Sequence, residues 1–107
     1  MKGRSMNNAG GYLTIARFEG EPRRLLEDYR SSSAVMESVG HDHGLIAHVA
    51  AATEDGFMVV NLWPSRDGSE SAARDPRRLG AIERARIGPG RIRREHHQVV
   101  DYVLFGR

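Results

Sequence analysis

An α+β fold in one domain, with the element order β-α-β-β-α-β, is predicted by three features of this 107-residue sequence. Four β-rich runs alternate with two stretches whose apolar residues recur at helical spacing. A proline stands at the start of each helical stretch, where its missing N–H costs nothing, and glycines mark several of the breaks. The second and third β-runs are apolar at nearly every position and flank a turn signal, which describes a hairpin in a sheet covered on both faces.

Residues 12–18 form the first run, bounded by Gly10-Gly11 and Gly20. Glu21-Pro22 opens the first helix, and Leu25, Leu26, Tyr29, Ser33, Met36 and Val39 give it one core-facing stripe. Gly40 is the expected stop, because glycine accepts the left-handed conformation that ends helices. Residues 44–51 are the expected second strand and 57–63 the third, joined at Glu54-Asp55-Gly56 and closed by Pro64. A short helix is expected after Ser65 or Asp67. Asp75-Pro76 then starts a second main helix with Leu79 and Ile82 inward, followed by Ala85 or Arg86. Gly88-Pro89-Gly90 breaks it, and residues 91–105 read as one long fourth strand. The result is a split βαβ, ferredoxin-like order, with residues 11–107 as the domain and 1–10 as a flexible extension. Two main helices cover one face of a four-stranded sheet, so the apolar hairpin calls for a second copy on the other.

Composition narrows the function classes. There is no cysteine, which excludes disulfides, iron–sulfur clusters and thiolate zinc sites. No run approaches the roughly 20 apolar residues of a membrane helix, and the N-terminus lacks the apolar segment of a signal peptide; the expectation is a cytoplasmic protein. Sixteen basic residues face 14 acidic ones, and fifteen of the sixteen are arginine. Such a bias is the mark of a GC-rich genome, as in actinobacteria. The clusters Arg23-Arg24, Arg77-Arg78 and Arg91-Ile92-Arg93-Arg94 have acidic neighbours, and no aromatic residue lies between Trp63 and Tyr102. That pattern argues against a nucleic-acid face.

The segment Gly44-Leu45-Ile46-Ala47-His48-Val49, followed by Asp55-Gly56 and the run ending Asn61-Leu62-Trp63-Pro64-Ser65, resembles the hairpin of the dimeric α/β-barrel superfamily. That group includes the antibiotic-biosynthesis monooxygenases and many small actinobacterial proteins. The resemblance implies a homodimer more firmly than it implies chemistry, since one fold hosts many activities. Haem-degrading members pair this tryptophan with an asparagine on the first strand and a histidine on the following helix. Here residues 12–18 hold no asparagine and residues 66–87 no histidine, which argues against haem degradation. Cofactor-free members let the substrate carbanion react with oxygen, so no cofactor is expected.

Strand alternation places Ile46, His48 and Ala50 on one face of the second strand, and Phe57, Val59, Asn61 and Trp63 on one face of the third. Polar groups among apolar neighbours are the informative residues, because burying them unpaired is costly. His48 is the candidate base, Asn61 the candidate amide donor to a developing oxyanion, and Trp63 with Tyr29 the pocket wall; Thr14 joins them if the register allows. Each also has a structural reading: Trp63 as a core aromatic, Asn61 in a cross-strand bond, His48 at an interface. His41-Asp42-His43 and His96-His97 raise a metal site, but the first group reads as a solvated loop. The second pair points to opposite faces of a strand, so at most one ring can serve a given site. These features point to a small homodimeric enzyme of secondary metabolism that acts on an apolar or aromatic molecule, as a cofactor-independent monooxygenase or a related cyclase or isomerase. The alternative is a non-catalytic binding or structural dimer. An open cleft around Asn61 and Trp63 favours the enzyme; one filled by Tyr29, Met36 and Leu79 favours the alternative.

Overall fold

The computed structural model describes residues 11–84 and 92–106. The expected extension at 1–10, Ala85, Arg86 and the Gly88-Pro89-Gly90 break lie outside them. Four antiparallel strands, β1 (Tyr12–Glu19), β2 (Ala47–Thr53), β3 (Gly56–Trp63) and β4 (Ile92–Gln98), stand in the spatial order β2-β3-β1-β4. Helices α1 (Pro22–Asp42), α2 (Arg66–Ala73) and α3 (Pro76–Arg84) complete the ferredoxin-like α+β fold.

The helix starts follow from local chemistry. The Glu21 carboxylate accepts the Arg24 backbone N–H at 2.9 Å, with Pro22 in the first turn. Ser65 Oγ accepts from the Gly68 N–H at 3.1 Å and caps α2. Asp75 accepts from the Arg77 N–H at 2.9 Å at the start of α3.

The expected stop at Gly40 is corrected. α1 runs on to Asp42 with His43 as its C-cap, and the glycine with positive φ is Gly44, at 81°. Gly40 serves close approach instead: a Cβ there would lie 2.7 Å from Leu45 Cδ2. Gly56 is similar, since a Cβ would run into the Phe18 carbonyl oxygen; it pairs with Thr53, so the hairpin turn is Glu54-Asp55 and Gly56 belongs to β3. β2 accordingly begins at Ala47 rather than at residue 44.

Two further expectations change. β4 ends at Gln98, not at 105: its ladder with β1 runs from Phe18 opposite Ile92 to Tyr12 opposite Gln98, and the Val99 N–H then donates to the Gly11 carbonyl at 3.0 Å. Val100, Leu104 and Phe105 beyond it are exposed. In α3 the inward face carries Ala81, Ile82 and Arg78, while Leu79 is 52% exposed.

His41, Asp42 and His43, expected in a solvated loop, form the end of α1. Among the described residues no group of three or more His, Asp or Glu side chains is arranged to hold a metal ion. His43 Nε2 lies 3.0 Å from Asp75 Oδ2, and Arg77 pairs with both Asp75 at 2.7 Å and Asp42 at 3.0 Å. This network ties the end of α1 to the start of α3. The Arg77 guanidinium, then the His43 ring and the Arg77 backbone N–H, hold the Asp75 carboxyl far below the usual carboxylate range. A carboxyl depressed in the folded state contributes stability above its unfolded value near pH 4, and that contribution is lost as pH falls toward the folded one. Asp75→Asn is therefore expected to lower Tm at neutral pH, with the gap to wild type narrowing below about pH 4. Thermal melts across that range check it; a gap independent of pH would assign the loss to capping alone.

The core proper is small. Val39, Trp63 and Ala72 form it, with Tyr12, Val35 and Leu45 packed around. Among the described residues no side chain falls below 2% exposure, because much of the space between helices and sheet is a cavity. The opposite face of the sheet carries Leu13, Ile15, Val49, Met58, Val60 and Leu62, by strand alternation from the register.

Candidate functional site

The paired register builds one polar row across all four strands on the helix-facing side. His48 of β2 stands opposite Asn61 of β3, Asn61 opposite Thr14 of β1, and Thr14 opposite His96 of β4. The next row inward is Ala50, Val59, Ala16 and Arg94. Above these rows lies a cavity of about 590 Å³, within the range of small-molecule sites. Tyr29 and Met36 line it without filling it, and Leu79 takes no part.

At the β2 edge the polar groups are linked. His48 Nδ1 lies 2.6 Å from Asn61 Oδ1, and His48 Nε2 lies 2.7 Å from the Tyr29 hydroxyl. An amide oxygen only accepts, so Nδ1–H donates to Asn61, and Nε2 accepts the hydroxyl proton of Tyr29. Asn61 thus sets the tautomer of the imidazole and leaves its own NH₂ for other partners. The Tyr29 ring stacks parallel to His48, with centroids 6.0 Å apart, and packs against Phe57 at 5.1 Å. This relay of phenol, imidazole and amide is arranged as a base oriented by a third group.

Trp63 combines the two readings of it. It is 6% exposed in the core, and it also forms part of the cavity wall. Its indole Nε1–H donates to Thr14 Oγ1 at 3.2 Å, so Thr14 is the partner that lets a buried indole be satisfied.

No protein-family model matches this sequence, and no curated protein does. Solved structures do. The chain is similar to SnoaB, a cofactor-independent oxygenase from Streptomyces nogalater, at TM-score 0.60 and 17% identity over 92% of this chain and 95% of that one. It is similar to a proposed antibiotic biosynthesis monooxygenase from Caulobacter crescentus CB15, at TM-score 0.70 and 13% identity over 87% and 92%. A dimeric ferredoxin-like protein of unknown function from Jannaschia sp. CCS1 matches at TM-score 0.68 and 13% identity over 84% and 100%. The chain has the ferredoxin-like fold of these monooxygenase-like proteins. Identities this low establish the fold and leave the chemistry to the site.

Within that fold, two cationic cavity residues are not singled out by the sequence pattern, Arg78 and Arg94, and His96 is singled out there only as a metal candidate. Alternation along β4 was the available signal. It puts Ile92, Arg94 and His96 on the cavity side and sends Arg93, Glu95 and His97 to the other. There Glu95 pairs with Arg17 at 2.9 Å. Of the His96-His97 pair, the cavity takes His96.

Proposed function

We propose that this chain is a small-molecule enzyme that removes a proton from an apolar, aromatic substrate and either oxygenates the resulting anion without a cofactor or lets it cyclise or isomerise. The observation that carries the reading is the Tyr29–His48–Asn61 relay opening on a cavity walled in part by Leu25, Met36, Val39, Phe57, Val59 and Trp63. A proton from an acidic substrate C–H or O–H passes to the Tyr29 oxygen as Tyr29 passes its own to His48 Nε2. His48 becomes imidazolium while Asn61 Oδ1 holds Nδ1–H. In the oxygenase case the carbanion of an activated methylene adds to O₂, and the peroxide takes a proton back from His48. Loss of the second C–H proton with hydroxide then leaves a carbonyl and water. In the cyclase or isomerase case His48 returns the proton to another atom. Trp63 and Phe57 supply the flat wall that holds the ring system, and the apolar lining keeps water from quenching the anion.

Oxygen uptake with a panel of electron-rich tricyclic phenols tests the oxygenase arm, and proton exchange at the activated carbon tests the other. Retention of full turnover by both His48→Ala and Asn61→Ala would sink the assignment.

The protein is further proposed to act as a homodimer. Among the described residues no helix covers the β1–β3 part of the opposite sheet face, which carries Leu13, Ile15, Val49, Met58 and Val60, and Val100, Leu104 and Phe105 of the tail are 60% exposed or more. Apolar surface of that extent is the mark of an interface, and the solved neighbour from Jannaschia is a dimer of the same fold. Sedimentation at micromolar concentration is expected to give about twice the 11.9 kDa chain mass. A monomer alone would refute the covered-face argument.

A further inference from the structure

The end of the cavity away from His48 is basic. Arg94 and His96 enter it from β4 and Arg78 from α3, while small residues, Ala16, Ala73 and Ala81, leave room beside them. All 14 aspartates and glutamates of the chain lie among the described residues. The ion pairs among those residues occupy Arg17, Arg66 and Arg77, and none includes Arg78 or Arg94. Asp28 and Glu37 also line the cavity, from α1, but neither is within ion-pairing distance of these arginines. Arg78 Nη1 donates to the Ala73 carbonyl at 3.1 Å, which anchors one prong of its fork and leaves the rest unspent.

Two guanidinium groups in one partly dry cavity repel each other and lose hydration, a cost that an anion between them offsets. The acidity of both groups reports the same strain. Burial lowers the pKa of Arg78 and of Arg94, and the charge of Arg94 lowers that of Arg78 further. The neighbouring Arg77, by contrast, is exposed and pairs with two carboxylates. The relay and the basic end sit on opposite edges of the sheet. Three strand spacings separate β2 from β4, which is about 14 Å.

We propose that Arg78 and Arg94, with His96 beside them, form an anion subsite that binds the carboxylate of an aromatic carboxylic acid and directs its far end to the Tyr29–His48–Asn61 relay. The aromatic part of this assignment rests on the function proposed above; the anion part rests on the arginines. Arginine suits the task, since its planar fork takes a carboxylate through two parallel hydrogen bonds.

The test is equilibrium binding of anthracene-2-carboxylate against its neutral isostere anthracene-2-carboxamide, followed by ligand fluorescence. Wild-type protein is expected to bind the carboxylate at least about tenfold more tightly, with the preference shrinking as salt is raised. Arg78→Gln with Arg94→Gln is expected to abolish the preference and leave carboxamide affinity unchanged. His48→Ala is expected to keep the preference, because it acts at the other end. Equal binding of both probes by the wild type would overturn the anion subsite and leave the aromatic site standing. Failure of both probes to bind at millimolar concentration would overturn the two together. A preference that survives the double substitution would place the anion elsewhere and overturn the assignment to these arginines. Should the double variant not fold, the single variants Arg78→Gln and Arg94→Gln carry the same test, each expected to weaken the preference. Folding is expected, since the substitutions remove two like charges that have no carboxylate partner among the described residues.

Discussion

Replacing His48 by alanine is expected to lower kcat by at least about 100-fold, the usual contribution of a positioned general base. His48 sits on the edge strand at the cavity mouth with an exposed side chain, so its loss opens no hole in the core. The fold should survive, with thermal stability within about 0.5 kcal/mol of wild type, as for most exposed substitutions. The ring makes two short hydrogen bonds, and its partners define the graded controls. Asn61→Ala removes the acceptor that sets the tautomer, so it should lower kcat while leaving KM nearly unchanged. Tyr29→Phe keeps the ring that stacks on His48 and packs on Phe57 but removes the hydroxyl that reaches Nε2. It separates relay from wall: a kcat loss with KM preserved assigns the phenol to proton transfer. A rise in KM with kcat preserved would assign Tyr29 to binding alone.

Trp63→Ala is expected to cost about 3–5 kcal/mol of folding stability, the range for deleting a large buried aromatic. In a domain of this size that corresponds to a fall in Tm of more than about 12 °C. The expectation rests on position. Trp63 joins Val39 and Ala72 in a core that is thin because so much of the interior is cavity, so few other contacts can compensate. Thr14→Val is the paired control. It keeps the packing and strands the indole N–H, for a smaller loss of about 1–3 kcal/mol. Denaturant melts of the two variants decide between the roles of this residue. A loss below about 1 kcal/mol for Trp63→Ala would make it a pocket wall with little structural weight.

The candidate site is partly legible in the sequence. Period-2 alternation put His48, Asn61 and Trp63 on faces that the hairpin register then brought together, because β2 and β3 are joined by a two-residue turn that leaves little freedom of registry. Thr14 was conditional on registry, since β1 meets β3 only after a helix and a hairpin intervene. Its pairing with Asn61 is a long-range fact. Alternation alone could not tell which acceptor Asn61 would face. Its amide is the expected donor to an oxyanion, and its carbonyl accepts from His48 while the NH₂ stays available for that donation. Tyr29 was expected as wall and is also the polar end of the relay, because α1 crosses the sheet where its hydroxyl meets β2.

By itself the sequence determined the element order, the helix starts at Glu21-Pro22, Ser65 and Asp75-Pro76, and the hairpin. These depend on capping, proline geometry and period, all of which act within a few residues. Tertiary structure alone decided where elements stop and which rows form. Gly40 stays inside α1 because Leu45 packs against its bare Cα, and the end of β4 at Gln98 is set by its long-range ladder with β1, whose last pair is Tyr12 with Gln98. The same is true of the basic end of the cavity. Arg78 and Arg94 lie 16 residues apart on a helix and a strand, each beside other arginines of no distinct pattern. The register of β4 on β1 turns Arg94 to the cavity, and the packing of α3 over the sheet turns Arg78 to the same cavity, leaving Arg77 to the ion pairs at the helix start.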